Sequence, residues 1–86
     1  MAQHYLKSNT FNFHGTDVTV MYYQEDDYYT FKISHVIKEP NGNLYKPGGG
    51  TSMARTLEDL DFQIHHCYLS EANFYEGCTM VYNEDF

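Results

Sequence analysis

Imidazole and thiolate are ligands that zinc prefers, and the chain sets His65, His66 and Cys67 in a row with Cys78 further on. Structural zinc sites take ligands in close pairs such as C-x2-C or H-x3-H. Consecutive helical residues point about 100° apart, so at most two of the three converge on one ion. The plainer reading makes Cys67 and Cys78 small apolar core residues. A bridge between them needs an oxidising compartment, for which nothing else in the sequence speaks. His35 falls on the apolar face of a strand, where burial tunes a base, but no Ser or Cys nucleophile is tied to it by a local motif. Two carboxylate runs, Glu25-Asp26-Asp27 and Glu58-Asp59-x-Asp61, lack EF-hand spacing and read first as a solvated turn and helix face. The glycine-rich run 46–52 invites a phosphate-loop reading, yet it lacks the G-x4-G-K-[ST] order. Glu58 and Asp59 also occupy the helix start where a phosphate would sit. No constellation assigns a reaction. The chain reads as non-enzymatic, with no catalytic residue, metal or cofactor.

The elements that carry these residues are legible from periodicity. The longest period-two alternation is 28–38, with Tyr29, Phe31, Ile33, His35 and Ile37 on one side and Thr30, Lys32, Ser34 and Lys38 on the other. It predicts a central strand. Phe11 and Phe13 predict a first strand over 10–14, closed by a turn at Gly15, while the order of 1–9 is left open. Val18, Val20 and Tyr22 predict the inward face of a second strand over 17–24. These three strands form an antiparallel meander. Pro40, Asn41 and Gly42 mark a turn, Leu44 and Tyr45 begin a short fourth strand, and 46–52 read as a connection that swings a helix back over the sheet. Thr56 is the expected N-cap of an amphipathic helix over 56–69 whose inner face is Leu57, Leu60, Ile64, Cys67 and Tyr68. Residues 70–77 read as a helical turn or a loop. A last strand over 78–82 turns Cys78, Met80 and Tyr82 to one face, and the tail 83–86 is left to fray. The fold class expected is α+β: one antiparallel sheet of three to five strands, covered on one face by one helix, in the order βββ(β)αβ and in a single domain over 1–86.

Eighty-six residues allow one core that buries about 60–65% of the unfolded surface, and nine Tyr and six Phe supply much of it. The formal charge of -7 and pI near 4.9 disfavour direct contact with nucleic acid or an anionic membrane and favour a basic partner. Two cysteines, no leader-like start and no apolar run of membrane-spanning length point to a cytoplasmic protein.

The charge is unevenly placed. Residues 1–55 hold five acids and all five Lys and Arg, whereas 56–86 hold seven acids and neither base. On a helical wheel Glu58, Asp61 and His65 share a flank, with Phe62 and Leu69 just beyond it. Phe62 is therefore expected to be partly exposed among carboxylates, as an interface anchor would be.

In size, charge, the Glu58-Asp59-x-Asp61 run and its Tyr-rich strands the chain resembles the small acidic inhibitors of phages and mobile elements. These include anti-CRISPR proteins and DNA-mimic inhibitors of nucleases or uracil-DNA glycosylase; acidic immunity proteins against nuclease toxins share the profile. The resemblance implies a class of partner, a basic nucleic-acid-handling protein, and carries over no individual residue. The partner-binding set expected from the residues is Glu58, Asp59, Asp61 and Phe62, with Glu25, Asp26 and Asp27 as a second patch. The rival reading is a homodimeric accessory protein that pairs through a sheet edge or the Phe62 and Leu69 flank.

Overall fold

In the computed structural model, which describes residues 3–45 and 53–86, the alternating segments form strands joined largely by tight turns. Strand β1 (His4–Phe13) and strand β2 (Thr16–Gln24) make a hairpin closed by His14 and Gly15, both at positive φ (51° and 86°). Two positive values make this the turn whose twist matches paired strands, and Gly15 supplies one without strain. β2 pairs in turn with β3 (Tyr29–Ile33), and β3 with a two-residue strand that follows the glycine-rich run. The resulting sheet is four-stranded and antiparallel. Val18, Val20, Tyr22, Phe31 and Ile33 all face inward and are buried, as their alternation predicts. β1 starts at His4 rather than near residue 10, with a bulge between Tyr5 and Lys7.

The expected strand over 28–38 is in fact two. It breaks at Ser34, and its second half, β4 (His35–Lys38), joins a separate three-stranded sheet between β5 (Leu44–Tyr45) and β7 (Thr79–Tyr82). The break has a local cause. Ser34 N–H still donates to Thr19 O (2.9 Å), but the return bond from Thr19 N–H goes to the Ser34 hydroxyl (2.8 Å). The carbonyl of Ser34 accepts instead from Asn83 N–H (2.7 Å), and the Asn83 amide donates to Ile33 O (2.9 Å). A side chain thus fills the ladder position that the backbone has left. Asn83, placed by the sequence in a fraying tail, is buried. The alternation also loses phase at the break: Ser34 is buried, His35 only half so, and the adjacent Val36 and Ile37 are both buried.

Strand β6 (Met53–Ala54), which sequence patterning did not predict, places Ala54 opposite Tyr29 and leads straight into helix α1 (Leu57–Phe62). Thr56 caps α1 as expected, its hydroxyl accepting from Asp59 N–H at 3.1 Å. The helix widens after Phe62 into a π-helical turn (Gln63–Tyr68), in which Leu69 N–H reaches back to Ile64 O at 2.8 Å. Bonding to the fifth residue shifts the helical phase, so the buried ridge runs Leu60, Ile64, Leu69. Cys67, expected on the inner face, is therefore exposed, and Leu69, expected on the outer flank, is in the core. A short 3-10 turn (Glu71–Asn73) follows, and its Asn73 side chain donates to the carbonyls of Cys67 and Tyr68. Gly77 (φ 95°) passes so close to Pro40 that an added Cβ would stand 2.8 Å from Pro40 Cγ.

A candidate protein-binding surface

The β2–β3 turn and the start of α1 meet at one end of the large sheet. Tyr29 lies opposite Ala54, so the residues just before Tyr29 run alongside those that enter the helix. Asp27 and Tyr28 line a shallow recess with Met53, Ala54 and Arg55. The turn is closed by Glu25 N–H donating to Tyr28 O at 2.8 Å. Asp27 and Arg55 thus share one recess, and the helix that carries Glu58 and Asp59 begins two residues after Arg55.

The side chains differ in how far they are available. Glu58, Asp59, Asp26 and Asp27 are exposed, and Glu25 is half-buried. Acids in the first helical turn also meet the positive end of the peptide dipoles, which favours them there. Phe62 is 58% exposed, as the wheel predicted, with its ring stacked on that of His66 (4.6 Å, 28°). Gln63, next in the chain, donates to Met53 O at 2.8 Å and holds the helix against β6. Tyr28 and Met53 add further exposed apolar surface.

Asp61 departs from the flank assigned to it. Its carboxylate turns toward the sheet and accepts a short hydrogen bond from the Tyr22 hydroxyl. Burial, then that bond, then the carboxylate's charge push the Tyr22 phenol up to about 12, while an Asn9 hydrogen bond works the other way. Asp61 consequently anchors the helix rather than extending the outward acidic face. His65, expected beside it, packs its ring against Phe11 (4.8 Å).

The seven acids of residues 56–86 do not form one continuous surface. Glu71 reaches His14 at the other end of β2, its oxygens 3.0 and 2.9 Å from Nε2. Nine residues of strand, roughly 30 Å, separate that contact from the β2–β3 turn. Glu84 borders a second recess that contains Lys38, on the small sheet. The negative cluster at the α1 junction is therefore local.

The residues singled out for other chemistry are placed apart or engaged. Cys67 is exposed, Cys78 is buried, and both are free thiols; Cys78 Sγ lies 3.8 Å from Asn73 O. Among the described residues no group of three or more His, Cys, Asp or Glu is placed to hold a metal ion. His35 Nδ1 does lie 2.7 Å from Ser34 Oγ, but that oxygen is buried and already accepts the Thr19 N–H, so the pair is part of the strand break. The phosphate-loop reading of 46–52 falls outside the described residues. Among those described, no helix is long and apolar enough to cross a membrane. No family model, curated protein or solved structure matches the chain.

Sequence reasoning missed Tyr28, Met53 and Arg55 as members of this surface. The signal for Met53 and Arg55 was obscured because a two-residue strand has no readable period. The exposure of Tyr28 follows from its place in the turn, next to three acids.

Proposed function

We propose that the protein is a non-enzymatic inhibitor that binds a basic, nucleic-acid-handling protein, of nuclease or CRISPR-effector type, and acts in the cytoplasm. The observation that supports this reading most is the junction itself. Glu58, Asp59, Asp26 and Asp27 are exposed, as are Phe62, Tyr28 and Met53, and none of these acids forms an ion pair among the described residues. Exposed carboxylates gathered in this way attract a basic surface and compete for a groove built to hold nucleic acid. The acids steer the encounter and the apolar residues supply the buried area. Asp61 serves from behind, fixing the helix through Tyr22.

Affinity capture from lysate at low salt, with mass spectrometry of what is retained, tests the reading directly. A basic nucleic-acid-binding protein is expected, released as salt rises and displaced by its own nucleic acid. The combined Glu58→Lys and Asp59→Lys variant is expected to retain its fold and lose the partner. Capture of no basic protein, or binding indifferent to salt, would reject it.

A further inference from the structure

Among the described residues, β1 is a ten-residue strand with a neighbour on one side only, since β2 is its sole partner in the sheet order. Which of its backbone groups face outward follows from the ladder. The hairpin closes at Phe13 opposite Thr16, so Phe13, Phe11 and Asn9 direct their N–H and C=O toward β2. Thr19 gives the same answer independently: its own N–H and C=O both go to Ser34, so its partner Thr10 has neither bonded to β2. The 2.9 Å contact between the Thr10 and Thr19 hydroxyls fits the closer side-chain approach of such a pair. Ser8, Thr10 and Asn12 therefore present their backbone donors and acceptors to open solvent, in a regular stretch beyond the bulge.

Strand edges of this length are usually blunted by charge, proline or bulges. Here the bulge is confined to the first residues, there is no proline, and the one charged side chain, Lys7, lies over the Tyr22 ring with Nζ 5.1 Å from its centroid. The absence of acid matters more. β1 contains no Asp or Glu in a chain whose net charge is -7, so two copies meeting along it keep their negative ends apart.

We infer that β1 is the seam of a symmetric homodimer in which two copies pair antiparallel, Thr10 opposite Thr10 on the two-fold axis and Ser8 opposite Asn12 on either side. This register pairs all three residues with outward-facing backbone groups, and it joins the two large sheets into one continuous sheet. Asn9 of one copy then lies opposite Phe11 of the other. The pairing is independent of the inhibitor reading: it uses a different edge and leaves the α1 junction uncovered.

Sedimentation of the full chain from about 1 to 300 µM, together with amide exchange by NMR over the same range, tests the seam. The expected result is a doubling of mass with concentration. Exchange at Ser8, Thr10 and Asn12 slows at least about tenfold in the dimer, while Asn9 and Phe11, already bonded to β2, change little. Thr10→Pro removes the outward N–H together with the exposed hydroxyl contact to Thr19 and should give a folded monomer. Should that variant fail to fold, Thr10→Lys places like charges face to face on the axis and should weaken pairing while the sheet stays intact. A monomer throughout the range, a dimer whose exchange at these three amides is unaltered, or undiminished pairing of folded Thr10→Lys would each overturn the inference.

Discussion

The Tyr22 hydroxyl, at the end of a buried ring, donates to the half-buried Asp61 carboxylate and ties the first helical turns to the middle of the large sheet. Tyr22 holds its proton to about 12, against an ordinary value of 10.0, chiefly through burial. A raised folded value means that this stabilisation is complete below pH 10 and is lost as pH climbs toward 12, because the unfolded chain releases the proton first. Solvent near Asp61 screens the effect, which limits it to about 1–2 kcal/mol. The stability difference between wild type and Tyr22→Phe, measured by urea unfolding, should shrink by that amount between pH 9.5 and 12, these pH values being about half a unit below and near the two ends of the window.

Ser34→Ala removes the acceptor that Thr19 N–H uses at the strand break and leaves a part-buried donor unpaired. The expected loss is about 1–3 kcal/mol in denaturant unfolding. Asn83→Ala, which withdraws the amide from Ile33 O in a buried position, should cost about as much. A loss below about 0.5 kcal/mol for both would mean that the two side chains add little to what packing and the backbone bonds at the break supply.

Gly77→Ala meets two obstacles at once, a φ of 95° and Pro40 Cγ at 2.8 Å from the new methyl. The backbone conformation alone costs about 1–2 kcal/mol, and the proline ring has little room to yield. Thermal unfolding should place this variant well below Gly15→Ala, whose Cβ meets nothing within 4 Å.

Phe62→Ala should leave stability within about 0.5 kcal/mol, since the ring is mostly exposed, yet weaken capture of a partner by tenfold or more if it is the anchor. Thr56→Ala provides the contrast. It removes the bond from Asp59 N–H, should cost about 1 kcal/mol, and should affect binding only through the helix start.

The antiparallel α+β architecture, the buried set Val18, Val20, Tyr22, Phe31 and Ile33, and the Thr56 cap were all legible because each rests on neighbours close in sequence. The break at Ser34 was not, because a serine on the polar side of an alternating run looks solvent-facing until Asn83 arrives to take its carbonyl. The π-helical turn hid in the same way. Leu57, Leu60, Ile64 and Tyr68 fit a regular helix, and only the burial of Leu69 with the exposure of Cys67 exposes the change of phase. Among the candidate site residues, Glu58 and Phe62 are exposed, as the wheel expects, and Asp59 is exposed in the first helical turn. The inward turn of Asp61 depended on Tyr22, a residue from another element that no periodicity in the helix could announce.

The divided central strand also sets an order of assembly. β1, β2 and β3 close through short turns, whereas β4 waits for a partner that pairs His35 with Tyr82 and Lys38 with Thr79. Contacts of low sequence separation form more readily, so the hairpins are expected in the folding nucleus and β7 is expected to dock after the rate-limiting step. Weakened packing of β7 should accordingly hasten unfolding while scarcely slowing refolding.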